Sequence, residues 1–277
     1  MIKQFSIIVL CFFLPISAWA ETYSFGILPQ RSAVITAQYW NPILDYVGRK
    51  SGITLELGTR KTSQEYSEVE ARGEFDFVYN NHIFAPSHAA VAYRVIARAT
   101  GQPIHGQIVV PEASPIHALR ELEGQEVGFP SKIAFVGYAA PMSALIQMGI
   151  TVMPVFGGNQ EGVMAQLRAG AITAASVNSK VMQEYAVREN FKYRALWTSE
   201  DYLDLPIAAH PRVPMSVVKA VLAALTGMAA DAEGLKILRA SAAIIKQEPP
   251  LGFVQAQDDE YQNQRAVYRA IQPKASH

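Results

Sequence analysis

The run FDFVY at residues 75–79, followed at once by NNH at residues 80–82, decides the fold. The first five residues are mostly apolar and of strand length, which is typical of a strand buried on both faces of a parallel sheet. We predict that the polar run leads into a helix over Ile83–Ala92. A buried strand that passes through a polar loop into a helix is the repeating unit of an α/β sheet.

The same unit recurs on both sides of this stretch. Upstream, Tyr23–Leu28 is a predicted strand and Ala37–Lys50 a predicted helix with apolar residues at helical spacing. Downstream, strands and helices alternate again from residue 116 to residue 209, and three predicted helices close the chain. Two such series indicate an α/β protein of two lobes, each a mostly parallel sheet flanked by helices, with a hinge between the lobes.

The N-terminus is typical of an exported protein. Lys3 is followed by an apolar run over Ile7–Ile16, and Ala18-Trp19-Ala20 has the small-x-small pattern read by signal peptidase. The run is shorter than the roughly 20 residues that span a bilayer, which argues against a retained anchor. We predict cleavage after Ala20 and a periplasmic mature protein.

Composition excludes several classes of function. The only cysteine, Cys11, lies in the predicted signal peptide, so we expect no disulfide, no thiolate nucleophile and no cysteine metal ligand in the mature chain. Lys plus Arg equal Asp plus Glu at 24 each, and no basic face is expected to bind nucleic acid. The histidines lack metal-ligand spacing. We predict no cofactor, no metal site and a monomer.

Ligands of open parallel sheets bind beyond the carboxyl ends of the strands, where loops and helix N-termini present backbone N–H groups. Five loops have this position here, at residues 29–32, 79–82, 130–137, 157–161 and 178–179. The candidate ligand-binding residues in or just after these loops are Arg31, Tyr79, Asn80, His82, Ser131, Lys132, Phe135, Tyr138, Gly158, Asn159, Gln160 and Asn178.

Most of these candidates have a structural alternative. Asn80 or Asn81 is suited to cap the helix that follows, because Asn is a favoured N-cap residue. Lys132 and Arg31 are candidate cations for an anionic ligand, although a lysine in a loop is equally often solvated. Phe135 could line the pocket or belong to the core.

Several stretches in the same order resemble the phosphate, phosphite and phosphonate-type periplasmic binding proteins of ABC importers. They are FGILP at 25–29, RGEFDFVY at 72–79, GQEVGF at 124–129, VFGG at 155–158, LWTSE at 196–200, and GFV at 252–254 with Asp258, Asp259 and Tyr261. The resemblance implies the type II periplasmic-binding-protein fold. It also implies a ligand in the cleft between a first lobe at residues 21–103 plus 205–277 and a second lobe at residues 104–204.

One stretch departs from the family pattern. Family members that bind a phosphonate group carry Ser-Thr-Ser-Gly-Tyr where this chain has Ala134-Phe135-Val136-Gly137-Tyr138. Gln160 stands where the family has a histidine, and Asn178 where it has an aspartate. Each lost charge-assisted hydrogen bond is worth roughly 1.5–3 kcal/mol, so we expect a phosphonate or phosphate to bind weakly.

The sequence therefore predicts a solute-binding protein rather than an enzyme, since it holds no catalytic motif such as Gly-x-Ser-x-Gly or a phosphate loop. Its expected partners are a small-molecule ligand and an ABC permease. One alternative is a sensory accessory that presents a ligand to a histidine kinase. Another is an interaction module without a ligand, for which a hydrophobically filled cleft would be evidence.

Overall fold

A computed structural model describes residues 21–271 of the chain, and the predicted signal peptide at residues 1–20 lies outside the described residues. The strands in this range are β1 (Thr22–Ile27), β2 (Thr54–Gly58), β3 (Phe77–Tyr79), β4 (Arg94–Ala99), β5 (Gly106–Pro111), β6 (Glu126–Phe129), β7 (Met153–Phe156), β8 (Ala174–Asn178), β9 (Tyr193–Thr198), β10 (Pro206–Ala209) and β11 (Phe253–Gln255). The α-helices are α1 (Ala33–Ser51), α2 (Ser63–Ala71), α3 (Ala140–Gln147), α4 (Gln160–Arg168), α5 (Ser179–Glu189), α6 (Met215–Gly227), α7 (Ala232–Ile245) and α8 (Gln262–Ala270).

The strands form two sheets, which define two lobes. The first sheet has the order β11-β4-β10-β3-β1-β2, and the second has the order β7-β6-β8-β5-β9. In each sheet three strands run parallel, and the strands added beside them pair antiparallel. The two-lobed α/β fold is confirmed, but the sheets are mixed rather than mostly parallel. In the first sheet the reason is that β10 inserts between β3 and β4 after the chain returns from the second lobe.

The chain crosses between the sheets twice. The first crossing follows β4, the second follows β9, and the two segments meet in an antiparallel bridge between Ile104 and Tyr202. Strands of the first sheet lie before residue 100 and after residue 205, and those of the second sheet lie between. We keep residues 104–204 as the proposed bounds of the second lobe.

Helix α1 shows how sequence fixes an element of the first lobe. Ser32 caps its N-terminus by accepting a hydrogen bond from the Ile35 amide, and Gly52 ends it in a left-handed conformation with φ of 75°. Trp40 on its inner face packs against Phe25 of β1, which stacks in turn on Phe77 of β3. The helix thereby packs against one face of the central strands.

Two predicted helices differ in the structure. The segment predicted as one helix over residues 83–92 forms two short 3-10 helices, His82–Phe84 and Pro86–Val91. Pro86 is the reason, because a proline disfavours helical backbone in the residue before it, and Ala85 is extended. The sequence pattern also predicts a helix over Tyr138–Met148; in the structure this helix begins earlier, as a π-helical turn over Phe135–Ala139 that runs into α3.

Within residues 21–271, no single helix is long and apolar enough to cross a membrane. Helices α6 and α7 meet that test of length and composition only as a pair, with a bend of 76° between them.

Two glycines on adjacent strands make room for one aromatic ring. Gly26 of β1 and Gly58 of β2 are paired in register, and Phe75 lies over both. A Cβ atom at either position would lie 2.5 Å from a carbon of the Phe75 ring. The ring also stacks on Tyr66 of α2, at 5.3 Å between centroids, so it has little freedom to move.

We expect Gly26→Ala to lower the free energy of unfolding by about 1–3 kcal/mol, the usual cost of overpacking a core. The matched control is Gly227→Ala in α6, where an added Cβ has nothing within 4 Å. This control is expected to raise stability by up to about 1 kcal/mol, because alanine is the better helix former. Urea denaturation measures both, and equal effects at the two positions would contradict the packing argument.

Candidate functional site

The candidate site is the cleft in which loops of the two lobes meet. The Ser63 amide of the first lobe donates to the Gly158 carbonyl of the second at 2.8 Å, and the Glu161 amide donates to the Gln30 carbonyl at 3.2 Å. The Glu161 carboxylate accepts from the Ser32 amide at 2.7 Å. These contacts bring the carboxyl ends of both sheets together, so the structure represents a closed arrangement.

One ion pair also joins the two lobes, and a second ties α5 to the second crossing. Arg31, in the loop after β1, pairs with Glu184 of α5, and both side chains are almost fully buried. Lys180, one turn earlier on α5, pairs with Asp204 of the second crossing at 2.8 Å. Helix α5 therefore supplies one acid and one base that are each matched by an opposite charge from beyond the second sheet.

The ion pairs keep both cations charged. Burial by itself would lower the pKa of the Lys180 ammonium, but the Asp204 carboxylate outweighs it and the pKa lies above its usual value. The pKa of Arg31 is likewise raised, because the Glu184 carboxylate outweighs burial. Burial raises the pKa of Tyr39 to about 12, so its hydroxyl stays protonated and donates to Gln247 Oε1 at 2.9 Å.

A small cavity of about 20 Å³ lies against these ion pairs. Its walls combine charge, amides and an aromatic corner, in which Trp40 and Tyr79 lie 4.8 Å apart between ring centroids. The lining residues are Gln30, Arg31, Tyr39, Trp40, Tyr79, Ala99, Asn178, Lys180, Val181, Asp204, Ile245, Gln247 and Phe253. Arg31 Nε is buried and has no hydrogen-bond partner among the described residues.

A second cavity of about 20 Å³ lies on the other side of Gln30 and Asn178, against the start of the π-helical turn. Its wall includes Ala134, Phe135 and Val136, so this part of the lining is apolar. The Phe135 ring is buried between Tyr202 and Tyr268, with centroids at 4.7 and 5.3 Å. Because Tyr268 belongs to the first lobe, Phe135 continues the core of that lobe across the cleft.

Below this cavity lies a buried polar network in the first lobe. His82 Nδ1 lies 2.6 Å from the Ser67 hydroxyl, and its amide donates to Asn80 Oδ1 at 2.8 Å. The Glu70 carboxylate is hydrogen-bonded to His88, and it accepts a longer hydrogen bond from the side-chain amide of Asn80. Burial lowers the pKa of His82 well below its usual value, so the ring is neutral at pH 7.

The structure brings six of the sequence-predicted residues to the two cleft cavities. These residues are Arg31, Tyr79, His82, Phe135, Gln160 and Asn178. Ser131, Lys132, Tyr138, Gly158, Asn159 and Asn80 lie near the cleft without lining either cavity. Lys132 is exposed and lies over the Phe156 ring at 5.7 Å.

Several of the predicted residues have clear structural roles. Asn159 caps α4 and Asn178 caps α5 with their side-chain oxygens. Gln160 Oε1 accepts from the Asn178 amide at 3.0 Å, which ties these two loops together. Asn81 stands at the start of the first 3-10 helix without a side-chain cap, whereas Asn80 supplies the hydrogen bond.

Sequence reasoning missed other residues of the cleft. Lys180 follows the predicted loop at residues 178–179 directly, and extending that loop by one helical turn would have included it. Asp204 and Gln247 follow no strand end that the pattern marks, and only the fold brings them to the cleft. The apolar spacing on its helix face predicts a core position for Trp40; the side chain is buried, and it also lines the cavity.

Two mixed α/β lobes joined by two crossings, with a polar cleft between them, define the class of two-lobed small-molecule binding proteins. The chain belongs to a family of this class, described as "ABC transporter, phosphonate, periplasmic substrate-binding protein", whose model matches residues 25–261. Members of the family are substrate-binding proteins of the periplasm rather than enzymes.

Solved structures agree with this assignment of the fold. The chain is similar to the binding-protein component of a phosphonate ABC transporter from Pseudomonas aeruginosa, with a TM-score of 0.76, 13% identity and coverage of 90% of this chain and 85% of that one. It is equally similar to PhnD1 from Prochlorococcus marinus in complex with methylphosphonate, with a TM-score of 0.76, 14% identity and coverage of 91% and 98%.

A curated relative comes from a different functional setting. The chain is 26% identical over 203 residues to the tetrathionate sensor histidine kinase TtrS of Salmonella typhimurium. The match covers 68% of this chain and 33% of the kinase, so the chain spans about a third of that protein's length.

The Arg31–Glu184 pair generates a stability prediction. We expect Arg31→Met to lower the free energy of unfolding by about 3–5 kcal/mol, because it leaves the Glu184 carboxylate buried and unpaired. The double variant Arg31→Met/Glu184→Met is expected to recover most of that loss, since replacing both partners of a buried pair by apolar side chains is often close to neutral. Chemical denaturation of the singles and the double measures the coupling, and additive effects would show that the pair is not formed.

His82 generates a prediction about pH. Its pKa is depressed in the folded state, so below about pH 6.5 the unfolded chain binds a proton that the folded chain does not. The stability from this group is therefore full above pH 6.5 and is lost as pH falls, by up to about 1.4 kcal/mol per pH unit. We expect His82→Asn, measured by denaturation from pH 7 to pH 5, to have a shallower dependence than the parent; identical slopes would contradict this.

Proposed function

We propose that this protein is a periplasmic receptor that encloses a small anionic or polar solute between its lobes and delivers it to an ABC importer. The observation that carries the proposal is that two cations from opposite sides of the cleft, Arg31 and Lys180, line one cavity. A ligand that contacts both would hold the lobes closed, which is the state that a membrane partner can recognise.

Both cations have donors to spare for such a ligand. A guanidinium has five N–H donors, and Arg31 Nε has no partner among the described residues. A lysine ammonium has three donors, of which Lys180 directs one to Asp204. An oxyanion can therefore accept from both side chains while Glu184 and Asp204 continue to orient them.

The class of ligand follows from which polar side chains line the cleft and which part of its lining is apolar. The apolar stretch at residues 134–136 removes side-chain hydroxyls from one end, which disfavours a compact, strongly hydrated phosphate group there. The end that remains polar combines Arg31, Lys180 and Asn178 with the Trp40–Tyr79 corner. That combination favours an anionic group carried on a less polar body, for which the aromatic rings supply contact area.

The names of two of the similar proteins are consistent with an oxyanion. One was solved with methylphosphonate, and the name of the other specifies tetrathionate. We include Tyr79, His82, Gln160 and Asn178 among the proposed contacts, together with Arg31 and Lys180, because they line the two cleft cavities.

A second candidate function is ligand presentation to a sensor kinase. The similarity to TtrS favours it, since a binding protein of this fold could act beside a kinase as well as beside a permease. Site-specific photocrosslinking in the native periplasm separates the two: capture of an ABC permease supports transport, and capture of a histidine kinase supports sensing.

The binding test is a thermal-shift and calorimetric screen of phosphonates, sulfonates, polythionates and organic acids. We expect one class to raise the melting temperature in proportion to the logarithm of its concentration. Arg31→Gln and Lys180→Gln are each expected to weaken binding about 10- to 100-fold, the equivalent of one charge-assisted hydrogen bond. The control is Lys192→Gln, which replaces an exposed lysine in the same lobe as Lys180.

Two outcomes would contradict the proposal. If no anion binds across the panel, the interaction module without a ligand becomes the better interpretation. If an anion binds but the Arg31 and Lys180 variants bind it as the parent does, the ligand lies elsewhere in the molecule.

A further inference from the structure

The roomiest of the cavities described here lies outside the cleft proper, beside the hinge. Its volume is about 330 Å³, whereas each cleft cavity measures about 20 Å³. A volume of this size is within the range of small-molecule sites. Its lining residues are Thr100, Gly101, Gln102, Pro103, His105, Gln107, Ser179, Lys180, Gln183, Glu184, Tyr193, Lys246, Gln247, Glu248 and Pro249.

Both lobes contribute to this hinge-side cavity. Residues 100–103 of the first crossing and residues 246–249 after α7 come from the first lobe, while Gln107, the first turns of α5 and Tyr193 come from the second. A ligand that fills the cavity therefore contacts both lobes. Lys180 and Gln247 line this cavity and the cleft cavity beside Arg31, so the two spaces share a wall.

The charges on this wall are balanced and incompletely used. Lys180 and Glu184 stand four residues apart on α5 and thus lie on one face of the helix. Glu184 Oε1 is buried without a hydrogen-bond partner among the described residues, and the Lys180 ammonium gives one of its three donors to Asp204. Two neighbouring side chains thus have unused hydrogen-bonding capacity: a negatively charged acceptor on Glu184 and positively charged donors on Lys180.

Further polar side chains of both charges also line the cavity. Lys246 and Glu248 lie on the exposed rim, and within residues 21–271 neither forms an ion pair. Four glutamine side chains, at residues 102, 107, 183 and 247, add amide donors and acceptors. Gln107 Oε1 is a further buried acceptor without a partner in the described part of the chain.

From these observations we infer that the hinge-side cavity is a second binding site, and that its ligand is a small zwitterion of the amino-acid or aminosulfonate type. An ammonium group would donate to Glu184 Oε1, and a carboxylate or sulfonate one helical turn away would accept from Lys180. A ligand with only a positive or only a negative group leaves either Lys180 or Glu184 without a partner. It also adds net charge to a cavity whose charges are balanced, which is costly in a partly buried space.

Occupation of this site would also affect the cleft. Glu184 pairs with Arg31 across the cleft, Lys180 pairs with Asp204 of the second crossing, and the cavity has walls from both lobes only when those lobes are together. A zwitterion bound there stabilises the closed arrangement by mass action. The site would act beside the cleft, whatever solute the cleft takes.

The test is isothermal titration of the whole mature protein with glycine, taurine and L-glutamine. Each is compared with N-acetylglycine and glycine methyl ester, which keep one charge. We expect saturable binding of at least one zwitterion, and affinity at least about 10-fold lower for both single-charge relatives. Absence of binding by all three zwitterions, or equal binding by a single-charge relative, would overturn the inference.

The location is tested by filling the cavity. Gln183→Trp places a large ring in its wall at an exposed position of α5, and we expect it to abolish zwitterion binding. The matched control is Val187→Trp, one turn further along the same helix, 63% exposed and outside the cavity lining. Undiminished binding by Gln183→Trp would overturn the assignment. If that variant does not fold, Lys246→Gly, which suits the left-handed backbone at this position, is expected to weaken zwitterion binding instead.

The result is distinguishable from failure of the proposed function. Anion binding in the cleft should survive Gln183→Trp, because Gln183 does not line either cleft cavity. Loss of the zwitterion with retention of the anion supports two sites. Loss of neither shows that the zwitterion lies outside the hinge-side cavity, which contradicts the second site and leaves the receptor proposal standing.

Discussion

The closed arrangement depends on the pairing of charges across the cleft. Arg31 and Glu184 are both withdrawn from water, and each would be costly to bury alone. The loop after β1 and the first turns of α5 must therefore meet in one relative position, or both ions lose their partner. That requirement fixes the distance between the lobes, aligns Lys180 with Asp204, and shapes the cavities on either side of α5.

Apolar contact reinforces the same position from the opposite end of the cleft. Phe135 sits between Tyr202 of the second crossing and Tyr268 of α8, so the start of the π-helical turn is anchored to the first lobe. The Phe135 ring fills this end of the cleft with apolar atoms. The cleft thus has an apolar end at Phe135 and a charged end at Arg31 and Lys180. The space that remains between polar groups lies at the charged end.

Local patterns predicted the fold well because they report on local physics. The buried strand ending at Tyr79 and the loops at the strand ends follow from rules that act within a few residues. The same kind of rule explains why Asn159 and Asn178 cap helices, although their position after strand ends predicted them as ligand contacts. The failures have non-local or context-dependent causes. Glu184 is 153 residues from Arg31, and nothing near either residue announces the pair. The helix predicted over residues 83–92 is interrupted at Pro86, because that prediction used the apolar spacing and ignored the proline.

Ligand-independent closing contacts change what a ligand must do. A solute that binds the open and closed forms equally shifts nothing, however tightly it binds. Where ion pairs and Phe135 already favour closure, less binding energy is spent on the conformational change, which raises apparent affinity. The difference in the closed population between the ligand-free and ligand-bound protein is then smaller. A membrane partner that recognises only the closed conformation would therefore distinguish the two forms poorly. Discrimination must then rest on contacts made only with ligand present, and the unused donors of Arg31 and Lys180 are placed to make them.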